Sequence, residues 1–131
     1  MKKIVKLLTL ILALTLALCF TACGKNPDIV AIKANSSEYQ IEDKTLIEFM
    51  EILSEDGKLT YTFSDGMITS VNGVENGLSS FWMIYTDDAE NSNSSWGFIE
   101  YKGKEYYSAM FGAGELPVKD GATYILAYQT F

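Results

Sequence analysis

The segment Thr45-Leu46-Ile47-Glu48-Phe49-Met50-Glu51-Ile52-Leu53-Ser54-Glu55-Asp56-Gly57 is where the hydrophobic period of the chain changes, and its reading decides the fold class. Leu46, Phe49, Met50 and Leu53 fall at i, i+3, i+4 and i+7, joined by Ile47 and Ile52, which predicts a helix with one broad apolar face. Its ends carry signals of their own. Thr45 followed by Glu48 forms a capping-box pattern, with Asp43 as a competing N-cap, and Gly57 stands where a left-handed C-terminal cap is expected. Acids in the first turn agree with the helix dipole.

Outward from this helix the period falls to two. Leu59, Tyr61 and Phe63 alternate with Thr60 and Thr62, Ser64-Asp65-Gly66 turns the chain, and Met67 to Val71 returns. Asn72-Gly73 and Asn76-Gly77 mark a loop. Phe81 to Thr86 is apolar on both faces, as a central strand is. Asp87 to Ser95 is polar throughout and is expected to be an exposed loop. Phe98 to Tyr101 turns at Lys102-Gly103 into Glu105 to Tyr107. Gly112 and Gly114 break the chain, Pro117 and Asp120-Gly121 mark a last turn, and Thr123 to Phe131 closes the domain. That strand is expected to place Tyr124, Leu126 and Tyr128 on one face and Ile125, Ala127 and Phe131 on the other. On the N-terminal side, Ile29 to Ala34 reads as a strand, with Tyr39 to Ile41 expected to return beside it after Asn35 to Ser37. One helix among strands is an α+β order, with the helix expected to cover a mixed β-sheet in a β-grasp-like arrangement. Phe63, Trp82, Tyr124 and Leu126 are expected in the core.

The first 22 residues have a different logic. Lys2, Lys3 and Lys6 form a basic head, and Leu7 to Phe20 is an apolar run broken only by Thr9 and Thr15, the shape of a secretory signal. The run ends in Phe20-Thr21-Ala22-Cys23-Gly24, which resembles a bacterial lipobox. Such a cysteine receives diacylglycerol on sulfur and becomes the mature N-terminus. Residues 1–22 therefore read as a lipoprotein signal peptide, 23–27 as lipidated Cys23 and a short tether, and 28–131 as the folded domain. The expected location is the outer face of a bacterial membrane, held by lipid.

The 131 residues contain no histidine and no arginine, and the formal charge is −7. Without histidine there is no imidazole zinc site and no Ser/His or Cys/His pair. An acidic chain without arginine is also poorly suited to nucleic acid, whose affinity comes mainly from phosphate neutralisation. Once the signal leaves, 7 lysines face 17 acids, a balance of −10 that predicts repulsion from anionic lipid. With no Ser-x-x-Lys spacing either, the chain reads as a non-enzyme.

An ordered series carries a family resemblance: Phe81-Trp82-Met83-Ile84-Tyr85-Thr86, the acidic Asn/Ser loop, Trp96-Gly97, Tyr101-Lys102-Gly103-Lys104-Glu105-Tyr106, Ser108-Ala109-Met110-Phe111-Gly112, and Leu116-Pro117-Val118-Lys119-Asp120-Gly121. Together with the Thr45-Leu46 helix start, it looks like the bacterial lipoprotein family related to the C-terminal domain of transcobalamin and intrinsic factor. The resemblance covers about residues 28 to 131. It implies a β-grasp-like fold and, through the vitamin carriers, a corrinoid as ligand. The separate helical domain that closes over cobalamin in those carriers is missing from this chain.

Binding is thus the expected activity, either of a small planar ligand or of a surface protein or glycan, the alternative being a structural or accessory surface protein such as a subunit beside an uptake system. Aromatic rings stack on planar ligands, and glycines let a ligand approach the backbone. The candidate contacts are Trp96, Tyr85, Tyr107, Phe111 and Gly112, around a pocket expected between Trp96, the Phe111 to Gly114 segment and the Asp87 to Ser95 loop. Asp87, Asp88 and Glu90 crowd carboxylates into that loop, an oxygen-rich set of the kind calcium favours, although the spacing is not that of an EF-hand.

Overall fold

The computed structural model describes residues 28–131, so residues 1–22, read as a signal peptide, and Cys23 lie outside the described residues. The order of elements is β1 (Ile29–Lys33), α1 (Leu46–Glu55), β2 (Tyr61–Ser64), β3 (Met67–Val71), β4 (Val74–Glu75), β5 (Ser80–Thr86), β6 (Ser92–Tyr101), β7 (Lys104–Ala109) and β8 (Thr123–Thr130). They form an α+β fold with a helix on a sheet. The larger sheet has five strands in the order β1-β8-β5-β7-β6, and a smaller one has the order β2-β3-β4. The expected mixed sheet is corrected in one respect, since every strand pairing is antiparallel.

The helix forms where its pattern says. The Thr45 backbone N–H donates to the Glu48 carboxylate at 3.2 Å, which is the reciprocal half of the capping box. At the other end Gly57 adopts φ +72°, its N–H donates to the Ser54 carbonyl at 3.0 Å, and the Lys58 N–H reaches the Leu53 carbonyl at 2.9 Å. These two bonds make a Schellman motif, and the positive φ is the reason for glycine there. Asp43 is not the cap. It sits in the preceding turn with φ +57°.

Three dipeptides with positive φ at both positions fix the hairpins: Asp65-Gly66, Asn72-Gly73 and Lys102-Gly103. That conformation is the type I′ turn, whose twist matches the strands it joins. The second of them produces β4, a two-residue strand where the sequence suggested only a loop. The Tyr39 to Ile41 strand does not form. The Glu38 and Tyr39 N–H groups both donate to the Asn35 carbonyl, which coils the chain toward the helix, and β1 pairs instead with β8.

The main core lies between the sheets and the helix. Leu46, Phe49 and Met50 of the helix are fully buried against Leu126 and Tyr124 of β8 and Val71 of β3. A second, smaller cluster occupies the other face of the five-stranded sheet, centred on Tyr85, Tyr106, Ile125 and Ala127. The alternation along β8 falls as expected, with Tyr124, Leu126 and Tyr128 in the main core and Ile125 and Ala127 opposite. Phe63 departs from expectation. It lies on the small sheet and is 37% exposed, with its ring against Gly114, where an added Cβ would stand 3.2 Å from the Phe63 Cζ.

Candidate functional site

Strand β5 is flanked unequally. On one side β8 covers it from Ser80 to Thr86, while on the other β7 is in register only with Tyr85 and Thr86. The Ser80 carbonyl and the Trp82 N–H on that open side are taken by the Gly77 N–H at 2.8 Å and by the Asn76 side chain at 3.0 Å. Beyond them the two strands diverge. The Met110 N–H donates to the Asn91 carbonyl at 2.9 Å, so the end of β7 follows β6 away from β5.

A cavity of about 280 Å3 occupies the gap. Its walls come from three places far apart in sequence. Gly66, Met67 and Ile68 form the turn side, Trp82, Met83 and Ile84 form the β5 side, and Ser108 to Ala113 form the third wall. The lining is mostly apolar, with Ser108 among the polar groups. Met67 is 52% exposed and Phe111 41%, so two large hydrophobic side chains stand at its rim. Met83 borders the cavity while it packs against the cluster on the opposite face of the sheet.

The third wall is tied to the helix at its far end. The Leu46 and Ile47 N–H groups at the start of α1 have no partner within the helix, and they donate to the Leu116 and Ala113 carbonyls at 2.8 and 2.9 Å. Thr45 also bridges Pro117 across the same junction. Gly112 closes the end toward the hairpin: a Cβ there would meet the Gly66 carbonyl oxygen at 3.1 Å, so glycine permits the two backbones to approach. Trp82 ties the two sheets together behind the cavity, its indole N–H donating to the Val74 carbonyl at 2.7 Å.

Of the five candidate contact residues, Phe111 and Gly112 line this cavity. Trp96, 61% exposed, stands on β6 at a register shift between Asn93 and Phe98, away from the cavity lining. Tyr107 packs edge-on against Phe98, and its hydroxyl donates to Glu105 at 3.0 Å. Tyr85 belongs to the cluster on the other face, where its hydroxyl donates to Gln129. The five are therefore not one site. Sequence reasoning missed Met67, Trp82, Ile84 and Ala109 as lining. Only the Met110-Phe111-Gly112 run carried a local signal, a large apolar pair beside a chain-breaking glycine.

The Asp87 to Ser95 tract is not one exposed loop either. Asp88 is buried, and β6 begins at Ser92. Asp88 accepts from the Glu90 N–H at 3.1 Å and from the Asn91 amide at 2.8 Å, folding the tract on itself. Asp87 accepts from Lys104 at 2.7 Å and from the Thr123 N–H at 2.8 Å. Burial alone would raise the Asp87 carboxyl, but the Lys104 hydrogen bond and the Thr123 N–H hold it below the ordinary value, and Lys104 is raised by the same contact. Glu90 turns toward Lys119 at 3.6 Å. The three carboxylates thus serve lysines and backbone rather than a common centre, and among the described residues no group of three or more acids or cysteines is placed to hold a metal ion. No family model, curated protein or solved structure matches the chain.

Proposed function

We propose that the protein is a lipid-anchored extracytoplasmic binding module, non-catalytic, whose domain takes a small apolar or planar group into the cavity between β3, β5 and the Ser108 to Ala113 segment. The observation that carries this reading is the cavity itself: an apolar gap of about 280 Å3 with the half-exposed Met67 and Phe111 at its mouth. Flexible thioethers adapt to varied ligand shapes, and a half-exposed phenyl ring offers a face for stacking. The volume also limits the ligand. Pockets for drug-sized molecules run from about 300 Å3 upward, so this one suits a compact group or one edge of a larger molecule. A corrinoid, suggested by the family resemblance, would be gripped by its rim and would bind without a histidine to cobalt.

Lipidation of Cys23 and the outer-face location rest on the sequence of the signal segment. Loss of palmitate labelling in Cys23→Ala supports the anchor, and labelling that persists refutes it. For the ligand, the Trp96→Phe variant leaves Trp82 beside the cavity as the sole indole. Titration of that variant with cobinamide and with a small planar dye should quench Trp82 saturably. Fluorescence unchanged by both at high micromolar concentration would remove the small-ligand reading in favour of a surface protein or glycan partner.

A further inference from the structure

The five-stranded sheet has one face under the helix and small sheet and another on which the cluster is built from strand residues alone. No described element lies across that second face. Antiparallel sheets with one open face are usually polar on it, yet here Ile125 and Ala127 are closed over by Tyr85 and Tyr106. The rim continues the apolar surface: Ala31 is exposed, and Phe81 pairs with the 74% exposed Phe131 at 6.5 Å between ring centroids.

We propose that this outer face of the sheet lies on the lipid bilayer to which Cys23 is anchored. Two observations name that occupant. The first is charge. The five strands contain only two acids, Glu100 and Glu105, and alternation turns both to the opposite side, with Glu105 bonded there to Tyr107. Asp87, just past β5, is neutralised by Lys104 at 2.7 Å. Lys33 falls on the outer face, and Lys102 and Lys104 are drawn over the rings of Tyr101 and Tyr106, each at 5.4 Å. With Lys104 spent on Asp87, the net charges of this surface are Lys33 and Lys102, set beside the partly exposed Ile29, Phe81, Met83 and Tyr101 and the exposed Phe131, an apolar and cationic rim of the kind that suits a membrane interface. The second is reach. β1 begins at Ile29, and the residues from Cys23 to Asp28 span no more than about 20 Å however they are arranged. The start of β1, which lies in this sheet, therefore stays within about 20 Å of the anchoring cysteine, and this face meets anionic lipid without the repulsion that the whole-chain charge predicts.

The inference rests on the lipid anchor proposed above, and one experiment separates the two. Nitroxide labels are placed at Ala31→Cys and Lys33→Cys on the outer face and at Glu55→Cys on the helix, in the lipidated protein reconstituted into phosphatidylglycerol–phosphatidylethanolamine vesicles. The expected result is a several-fold loss of collision with an aqueous nickel chelate and a gain with oxygen at both outer-face labels, with neither change at Glu55→Cys. Equal nickel access at all three labels in protein that sediments with the vesicles overturns the face while leaving the anchor. Shielding without oxygen gain, accompanied by spin–spin broadening, assigns the face to a second copy and also overturns it. Failure to sediment with vesicles overturns both.

Discussion

Replacing Trp82 with phenylalanine tests the junction that makes the cavity. Trp82 is 5% exposed, borders the cavity, and its indole N–H is 2.7 Å from the Val74 carbonyl, a contact that joins the two sheets beside the bond from the Tyr128 hydroxyl to the Glu75 carbonyl. Phenylalanine keeps a ring but has no donor. The Val74 carbonyl keeps its β3 pairing, so the loss is that of the indole hydrogen bond, about 1 kcal/mol. The smaller ring adds a cavity term of about 1 kcal/mol where the surroundings do not collapse. A total of about 2 kcal/mol in a domain of about 100 residues lowers the melting temperature by about 10 °C. Thermal unfolding followed by circular dichroism measures this. Trp96→Phe is the matched control, because Trp96 is 61% exposed and its loss should change stability by no more than about 0.5 kcal/mol. If Trp82→Phe melts within about 2 °C of the parent, the indole does not bridge the sheets and the cavity walls are not held as described.

Gly57→Ala forces a Cβ into φ +72° at the Schellman cap and should destabilise the domain by about 1 kcal/mol, measurable by urea unfolding with an unchanged slope. Tyr61 is pushed up to about 12 by burial and by its hydrogen bond to Glu51, so an ultraviolet-absorbance titration should show a phenolate step near that pH, and Tyr61→Phe should remove it. Because its folded pKa lies above the ordinary 10.0, the contribution of Tyr61 to stability is complete below pH 10 and lost as pH rises through about 12. Asp87 behaves in the opposite sense: held below its ordinary 3.8, it stabilises the fold fully above that value and loses the contribution as pH falls through its folded pKa. Asp87→Asn should therefore flatten the acid limb of the stability profile, and an unchanged acid limb would show that the Lys104 and Thr123 contacts do not form.

Local chemistry made much of the fold legible. The helix, its capping box and its glycine cap are written within thirteen consecutive residues, and Asp65-Gly66 announces a hairpin because few pairs tolerate two positive φ angles, while at Lys102-Gly103 only the glycine carries that signal. Partnering was harder to read. Ile29 to Lys33 is plainly a strand, but nothing in it distinguishes a hairpin return at Tyr39 from a distant pairing with β8, since a period of two fixes faces and not neighbours. The polar tract misled for a related reason. Asp88 looks solvated by composition, yet its carboxylate replaces backbone partners inside a folded turn. The cavity was least legible of all. Its walls meet only after two sheets pack and β7 peels from β5, so exposed aromatics drew attention to Trp96 while the methionine beside a turn glycine, Met67, went unnoticed.

The most direct test of the central claim observes the methionine methyl groups of the folded domain, residues 28–131, by nuclear magnetic resonance while cobinamide or a small planar dye is added. Met67 stands half-exposed at the cavity mouth, and Met50 is fully buried under the helix. The account predicts that the Met67 methyl shifts saturably while Met50 stays fixed. A saturable ligand that leaves Met67 unmoved and instead perturbs the Trp96 indole would contradict it.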